Sequence, residues 1–417
     1  MRRVVVIGAG PAGLTAAAAA AEAGATVTLL ERNERPARKL MITGKGRCNV
    51  TNNTAALEEL IANVPVNGRF LFSAFSRWMP TDTMEFFERC GVPLKVERGR
   101  RVFPVSDTTA DIVDALVKNA RQFGVGILRS RATKLWIEDG RLSGVTAEDG
   151  AVHPADAVII ASGGVSYPQT GSTGDGYRLA RQAGHTVIPP KPSLIPLECH
   201  EGFCAQLTGL SLRNAALDVV DADTGRTVYR DFGELLFTHF GVSGPMALSA
   251  SAHLRDMQPE RYRLELNLKP ALSPEQLDAR LLRDFAANAG RNFLHALDGL
   301  LPKAMVPVIA KLSGIPPGLR TNQVTREQRQ GLAALLQRFP MTVTGFRPIE
   351  EAIVTSGGVN VAEVRPGTME SKRLPGLYFA GEVLDVDAYT GGYNLQIAFS
   401  TGRLAGLEAA KSSSQNK

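Results

Sequence analysis

The N-terminal residues hold the pattern that most constrains the fold of this chain. A short β-branched run, 4–7, is followed by Gly8, Gly10 and Gly13 in the spacing G-x-G-x-x-G. The run is typical of a buried parallel strand, and an alanine-rich helix is predicted after it, over 14–23. In such a unit the first glycine permits a tight turn, and the second lets a pyrophosphate approach the backbone. The third lets the helix pack closely on the sheet.

A second strand is predicted over 26–30, after Gly24 ends the helix, and Glu31 stands at its end. A carboxylate at this point accepts hydrogen bonds from a ribose diol and repels a 2′-phosphate. Pro11 and Ala12 lie at the helix N-terminus, where free N–H groups meet phosphate oxygens. Together these features predict a dinucleotide-binding β–α–β unit.

The C-terminal part of the chain indicates which dinucleotide is bound. Residues 377–382 form an apolar strand ending in Gly381 and Glu382, and a glycine-rich turn then leads into a helix predicted to end at Ala409. This second helix N-terminus suits a long ligand with two ends. It can stabilise negative charge on the N1/O2 edge of a reduced isoalloxazine. A simple NAD dehydrogenase needs no such return, so the pattern favours FAD.

A third glycine-rich junction lies between these two. Residues 158–164 are predicted to form a buried strand, and a loop containing Asp175 leads from it to a helix over 177–183. The Gly174–Gly176 segment lacks a preceding strand, and Leu179 stands where a third glycine would be needed. It is therefore interpreted as a flavin-facing loop and not as an NADPH site. NAD(P)H is expected to act as a transient electron donor that leaves before the substrate enters.

Several long motifs resemble those of the BaiN/RdsA-type FAD-dependent oxidoreductases, also called aminoacetone-oxidase-family flavoproteins. They are residues 39–52, 163–168, 237–245, 345–348 with 353–359, and 381–401. The resemblance extends over about residues 3–408. It implies a fold like those of glutathione reductase and fumarate reductase. Members of the family are linked to reduction of steroid C=C bonds, to reduction of a uridine in ribosomal RNA, and to aminoacetone oxidation.

Changes in sequence texture predict the domain organisation. The predicted fold class is α/β: a Rossmann-like FAD-binding domain interrupted by a β-rich insert domain and a small helical subdomain. The insert is the expected substrate cap. The predicted bounds are 1–190 and 345–417 for the discontinuous FAD-binding domain, 191–270 with 339–344 for the insert, and 271–338 for the helical subdomain.

The predicted FAD contacts combine the three junctions with the 39–52 motif. Lys39 is expected to neutralise phosphate or to face the flavin ring, while Asn49, Thr51 and Asn394 are expected to hydrogen-bond the flavin. The full predicted set is Gly8, Gly10, Pro11, Ala12, Gly13, Glu31, Arg32, Lys39, Gly46, Arg47, Asn49, Thr51, Thr133, Ser162, Gly163, Gly164, Asp175, Gly381, Glu382, Gly392, Tyr393, Asn394 and Leu395.

Three residues are candidates for the proton transfer that accompanies flavin chemistry. Cys48 is adjacent to Arg47, which would lower the pKa of its thiol, although a buried filler role is the alternative. Tyr167 lies in a glycine-rich loop and either donates a proton or stacks on the ring. His239 belongs to the insert, where it is either a substrate contact or a packed, satisfied histidine.

Composition limits the partners and the compartment. The net charge of +6 over 417 residues suits an anionic cofactor and would suit RNA, but no polybasic tract is present. No apolar run approaches the roughly 20 residues that span a bilayer. With no signal peptide expected and four cysteines in no metal-binding spacing, a reducing cytoplasm without a metal is predicted. Residues 412–417 are predicted to be a disordered tail.

The sequence therefore predicts an FAD-dependent oxidoreductase, in which NAD(P)H reduces the flavin and the flavin then reduces an activated C=C bond. The alternatives are a ribosomal RNA dihydrouridine synthase, which reduces the uridine C5=C6 bond, and an amine or aminoketone oxidase that uses O2. A flavin-dependent sensor without catalysis is a further class. The substrate, small molecule or nucleic acid, stays open, as do the choice between NADH and NADPH, the proton donor and the oligomeric state.

Overall fold

The computed structural model describes residues 1–254 and 256–411, so the predicted tail at 412–417 lies outside the described residues. The strands are β1 Arg3–Ile7, β2 Thr26–Glu31, β3 Thr51–Asn52, β4 Leu94–Glu97, β5 Arg101–Pro104, β6 Gly126–Arg129, β7 Ala132–Glu138, β8 Arg141–Ala147, β9 Val152–Pro154, β10 Ala157–Ile160, β11 Val187–Ser193, β12 Leu197–Cys199, β13 Ser211–Asp221, β14 Thr227–Thr238, β15 Gly241–Ser243, β16 Tyr262–Asn267, β17 Phe339–Phe346, β18 Val354–Val359 and β19 Leu377–Phe379. The helices are α1 Pro11–Glu22, α2 Leu57–Ala62, α3 Phe72–Arg77, α4 Pro80–Arg89, α5 Thr109–Gln122, α6 Asp175–Gln182, α7 Phe203–Gln206, α8 Gly244–Ser251, α9 Pro274–Ala287, α10 Phe293–Ala296, α11 Met305–Leu312, α12 Arg326–Gln337 and α13 Tyr393–Ala410.

The chain divides into two compact units. The first comprises Met1–Ser193 and the chain from Pro348 onward, and the second is Leu194–Arg347. The first unit is built on a five-stranded sheet in the order β19-β10-β1-β2-β6, in which every neighbouring pair is parallel. The last strand of the chain, β19, thus pairs with β10 and completes the sheet.

The first helix is rich in alanine where it meets the last one: Ala12 and Ala16 of α1 face Gly402 and Gly406 of α13. A Cβ placed on Gly402 would lie 2.4 Å from the Ala12 carbonyl oxygen, and one on Gly406 would lie 2.2 Å from that of Ala16. Helices α1 and α13 therefore pack directly against each other, backbone against backbone. Helix α1 begins at Pro11, three residues before the predicted start, because proline fits the first turn of a helix.

The remaining strands of the first unit form small antiparallel sheets. Strands β7, β8 and β9 form an antiparallel meander. Strand β11 pairs with β18, and β5 lies between β3 and β4.

The second unit combines a closed six-stranded barrel with helices. The strand order around the barrel is β12-β15-β14-β13-β16-β17, and each adjacent pair is antiparallel. Helices α9 and α12 begin at the capping boxes of Ser273 and Thr325, as their sequence predicts. Phe237, Phe293 and Phe339 are fully buried in this core.

The described residues show neither a membrane-spanning helix nor a metal-binding cluster. Within residues 1–254 and 256–411, no helix is long and apolar enough to cross a membrane. The same part of the chain holds no group of three His, Cys, Asp or Glu residues placed to bind a metal ion. The four cysteines, all described, are free thiols.

Candidate functional site

The first unit contains a cavity at the carboxyl ends of its parallel strands, which we call the main cavity. The segments that follow β1, β2, β6, β10 and β19 line it, as do the first turns of α1 and α13. Ligands of open α/β sheets bind at this edge. The predicted FAD contacts that line it are Gly8, Gly10, Pro11, Ala12, Glu31, Arg32, Lys39, Ser162, Gly163, Asp175, Glu382, Asn394 and Leu395.

The three glycines of the first junction have different surroundings. A Cβ on Gly13 would lie 1.8 Å from the Gly8 carbonyl oxygen, and one on Gly8, where φ is +99°, would lie 2.8 Å from that of Ala161. A Cβ on Gly10 would meet no atom within 4 Å. Gly8 and Gly13 therefore permit close packing of strand, turn and helix, while Gly10 borders the open space of the main cavity.

Glu31 lines the main cavity although the residue is only 8% exposed, and hydrogen bonds fix the orientation of its carboxylate. One carboxylate oxygen accepts a hydrogen bond from the Ala9 amide at 2.8 Å. The other accepts from both the backbone and the side-chain N–H groups of Asn33, each at 2.8 Å. The carboxylate thus braces the β1–α1 turn and keeps lone pairs for a ligand hydroxyl.

The second junction is held by side chains that the sequence assigns to the cofactor. The amide of Asn394 accepts from the Ala388 N–H at 2.9 Å and donates to the Ala388 carbonyl at 2.8 Å. Thr51, fully buried, donates to the side chain of Gln396 at 2.7 Å. These bonds shape the turn and anchor α13. Asn394 also lines the main cavity, so its hydrogen bond to the flavin stays a prediction, whereas Thr51 does not line it.

Gln396 is a buried hub that sequence reasoning missed. Its side-chain oxygen accepts from Thr51 at 2.7 Å and from Thr83 at 2.9 Å. Its amide nitrogen donates to the Trp78 carbonyl and to the Ser400 hydroxyl, both at 3.0 Å. All four hydrogen-bonding positions of a fully buried amide are thus used. Its position one turn into the helix that follows the glycines was the only signal.

Lys39 does not lie free to neutralise a phosphate. Its ammonium donates to both carboxylate oxygens of Glu382, at 2.8 and 2.9 Å, and to the Ser166 hydroxyl at 2.6 Å. An ammonium has three N–H donors, so these bonds use them all. Glu382 also accepts from the Thr355 amide at 2.8 Å. The pair presents a neutral, rigid wall to the main cavity.

Asp175 is held by arginines at the end of the main cavity that also contains Glu31. Arg131 binds it with two bonds, at 2.8 and 2.9 Å, and Arg32 with one at 3.3 Å. The hydrogen bond from Arg131, with a smaller contribution from Arg178, lowers the pKa of the Asp175 carboxyl although burial opposes the effect. Arg131 was missed because β6 was not predicted, and its loop was not recognised as lying at the carboxyl edge of the sheet.

The residues present fit an FAD molecule. Helices α1 and α13 both begin after a glycine, and residues of both first turns line the main cavity. Neither first turn, fully within the described residues, carries an acidic side chain or a side-chain cap. Free N–H groups at such ends call for anionic or electron-rich partners. The buried Ser162 hydroxyl likewise has no partner among the described residues. One long ligand with a pyrophosphate and an electron-rich ring satisfies these groups together.

Cys48 is not a catalytic residue. It is fully buried, does not line the main cavity, and has its pKa raised to about 12 by burial. The prediction that Arg47 lowers this pKa is wrong, because Arg47 is bound to Glu97 at 2.5 Å and to Asp107 at 2.6 Å. The alternative, a small filler in the loop that surrounds the cofactor, describes the cysteine correctly.

The other two proton-transfer candidates lie in different units. Tyr167 belongs to the first unit and, like Cys48, does not itself line the main cavity. It has the left-handed φ of 52°, and its side chain is half-buried. His239 is exposed in the turn between β14 and β15 of the second unit, beside the ring of Phe240. The interpretation of His239 as a packed, satisfied histidine is therefore wrong, and its role as a substrate contact stays a prediction.

Ten predicted FAD contacts do not line the main cavity. Several support it instead: a Cβ on Gly164 would lie 2.3 Å from the Thr355 hydroxyl, and one on Gly381 would lie 2.8 Å from the Ala12 side chain. Tyr393 is buried at the start of α13. The ten are Gly13, Gly46, Arg47, Asn49, Thr51, Thr133, Gly164, Gly381, Gly392 and Tyr393.

Comparison with known proteins decides the family. The family model described as HI0933-like protein Rossmann domain matches residues 2–408. The chain belongs to this family. It is 34% identical to the 3-dehydro-bile acid delta(4,6)-reductase of Clostridium scindens, over 99% of this chain and 100% of that protein. It is 33% identical to the ribosomal RNA dihydrouridine synthase of Escherichia coli, over 98% of each chain.

Solved structures support the fold. A flavocytochrome c3 fumarate reductase matches 98% of this chain and 78% of its own length at a TM-score of 0.52 and 18% identity. A 3-ketosteroid delta1-dehydrogenase from Sterolibacterium denitrificans matches 98% and 100% at 0.52 and 13%. The predicted Rossmann-like FAD-binding fold and the predicted family are confirmed, and the protein is an FAD-dependent oxidoreductase.

Proposed function

We propose that this protein takes electrons from NAD(P)H onto its FAD and then saturates an activated C=C bond of its substrate. The observation that carries the proposal is the near-equal, full-length similarity to two relatives, at 34% and 33% identity. The names of both describe saturation of a C=C bond, one in a steroid and one in a uridine. The shared chemistry is a better guide than either substrate.

In the proposal the main cavity holds one dinucleotide, FAD, and NAD(P)H reduces the flavin and then leaves. FAD, when bound, supplies the two-electron chemistry. In the proposal the N-terminus of α1 binds the pyrophosphate and Glu31 accepts from the ribose diol, while the N-terminus of α13 stabilises the electron-rich edge of the ring. The segment around Asp175 follows a turn and its carboxylate is bound by arginines, which argues against a second nucleotide site there.

Tyr167 is the proposed proton donor. It follows Ser166, whose hydroxyl contacts Lys39 and Glu382 in the wall of the main cavity. Burial raises the pKa of the Tyr167 phenol and the charge of Glu351 raises it further, so the hydroxyl stays protonated at neutral pH. A left-handed backbone at a tyrosine is unfavourable, and such strain is often kept where a side chain must be aimed.

The test of the function is anaerobic. Enzyme reduced with NADH or NADPH is mixed with a 3-keto-Δ4 steroid, with a ribosomal RNA fragment or with O2, and the return of flavin absorbance is followed. We expect the steroid enone or the RNA to reoxidise the flavin faster than O2 does. If O2 reoxidises the flavin fastest, the proposal is contradicted and the protein is an oxidase. If neither NADH nor NADPH reduces the flavin, NAD(P)H is not the electron donor.

The RNA substrate has its own support in the E. coli relative and its own test. Ribosomal RNA from a strain that lacks this protein is expected to lose a dihydrouridine if RNA is the substrate. Binding of the RNA fragment would then weaken steeply with salt concentration, because phosphate contacts release counterions. Unchanged dihydrouridine content would direct the search to small molecules.

The proton donor is tested with Tyr167→Phe. We expect turnover of the C=C substrate to fall on the order of a hundredfold, a typical loss for a general acid. The rate at which NAD(P)H reduces the flavin should not change. The control is Tyr378→Phe, which removes a hydroxyl that lies 3.5 Å from the Glu408 carbonyl. Equal turnover by Tyr167→Phe and wild type would assign Tyr167 to stacking or structure.

A further inference from the structure

A second cavity lies among the helices of the first unit, and we call it the helical cavity. Its floor is one face of α1, and its walls come from α4 and α5, with Trp78 and part of α13 beside them. Its volume is about 340 Å³, within the range of small-molecule sites. The described residues that line it are different from those that line the main cavity.

The floor of the helical cavity is apolar, and two aromatic rings lie beside it. Leu14, Ala18 and Ala19 on α1 form the floor and are almost fully buried. Trp78 and Phe86 border it as an edge-to-face pair, with ring centroids 6.2 Å apart, and both are half-buried. These two rings therefore offer the apolar surface against which a planar group can pack.

Both walls of the helical cavity carry positive charge. Arg89 from α4 and Lys118 from α5 are exposed and line it. Burial raises the pKa of the Cys90 thiol, and the charges of Arg89 and Lys118 oppose the effect. Arg89 has a loose ion pair with Glu85 at 3.6 Å on the exposed surface of α4. The lining therefore holds two cations to which a bound anion can be attracted.

Several polar groups of the helical cavity have no partner. Within the described part of the chain, the side chains of Lys118, Asn119 and Gln122 make no hydrogen bond. The Thr15 hydroxyl is buried at the floor and is also unpartnered in these residues. Glu22, the acidic residue of the lining, is bound by Arg403 at 3.0 Å. The unpartnered groups of the lining therefore include the ammonium donors of Lys118 and the amide donors of Asn119 and Gln122.

We propose that the helical cavity binds a small organic anion, a carboxylate or phosphate monoester carried on a flat apolar ring. The anion lies between Arg89 and Lys118 and accepts from the amide of Asn119, and the ring packs against Trp78 and Phe86 beside α1. This site is separate from the main cavity, and the proposal does not depend on the substrate of the enzyme.

Protection of Cys90 tests the proposal on the FAD-loaded enzyme. Cys90 and Cys199 are partly exposed, while Cys48 and Cys204 are buried. After reaction with a neutral alkylating reagent such as iodoacetamide, peptide mass spectrometry distinguishes Cys90 from Cys199. We expect phenyl phosphate to slow alkylation of Cys90 in a saturable manner. Inorganic phosphate should need on the order of tenfold more to do so, because it lacks the ring.

Charge variants complete the test. Lys118→Met and Arg89→Met are each expected to weaken protection by phenyl phosphate on the order of tenfold, as the loss of a charge-assisted bond does. Lys311→Met, at an exposed lysine of a helix in the second unit, should change nothing. Because all three side chains are exposed, unchanged melting temperatures are expected. The proposal fails if phenyl phosphate does not protect, if inorganic phosphate protects equally well, or if both charge variants protect like wild type.

Discussion

The two glycine-rich junctions that line the main cavity are built differently. At the first, between β1 and α1, backbone meets backbone over six residues, and Glu31 alone contributes a side-chain brace. At the second, between β19 and α13, the turn is held by Asn394 and the helix by Gln396, whose partners lie in distant segments. The first junction is therefore a local motif, while the second exists only in the folded unit.

Alanine substitutions at the tightest glycines should have the largest effect. Gly13→Ala places a Cβ 1.8 Å from the Gly8 carbonyl oxygen, and Gly392→Ala places one 2.3 Å from the Thr51 carbonyl carbon, at a φ of +99°. Each is expected to cost roughly 3 kcal/mol of stability, since backbone cannot move aside cheaply. Urea unfolding and FAD titration measure both. Normal FAD binding by Gly392→Ala would show that the second junction tolerates movement that the first does not.

Gln396→Leu sharpens the comparison at the second junction alone. It leaves Thr51, Thr83 and Ser400 without their shared partner, at an expected cost of about 2–4 kcal/mol. The position of α13 should also change, so the flavin reduction potential should shift in the protein that still folds. Gln182→Leu is the control, because it removes two hydrogen bonds to the Leu135 backbone on the exposed side of α6. A potential that is the same in both variants would limit Gln396 to a role in stability.

Gly10→Ala should have the smallest effect on stability and a clear effect on the ligand. Its φ of −76° suits alanine, and its Cβ would meet no atom within 4 Å. Unfolding free energy should stay within about 0.5 kcal/mol of wild type. Binding of FAD should weaken on the order of tenfold or more, because the methyl group enters the space of the pyrophosphate. Unchanged affinity would mean that the pyrophosphate does not pass Gly10.

The comparison also explains what the sequence could and could not predict. Glu31 and the glycines of the first junction were predicted because the pattern that relates them lies within residues 8–31. Thr51 and Gln396 are 345 residues apart, so no local pattern relates them. Asn394 and Thr51 were assigned to the flavin because polar residues near glycines suggest ligands, and the hydrogen bonds that both make within the protein could not be foreseen.

Errors at charged and reactive groups have the same origin. Arg47 next to Cys48 suggested an activated thiol, but adjacent residues need not share an environment. The arginine binds Glu97 and Asp107, while the thiol is fully buried. The fold class and family were predictable because long motifs recur, but electrostatic partners depend on contacts between distant segments.

The position of β19 has a consequence for how the protein is made. Its partner β10 leaves the ribosome first, and roughly half of the chain must follow before β19 is synthesised. During that time one edge of β10 is open to wrong pairing with other nascent chains. The main cavity is complete only once β19 and α13 have been made, so chaperones that shield the unfinished sheet are expected to control the yield of active enzyme.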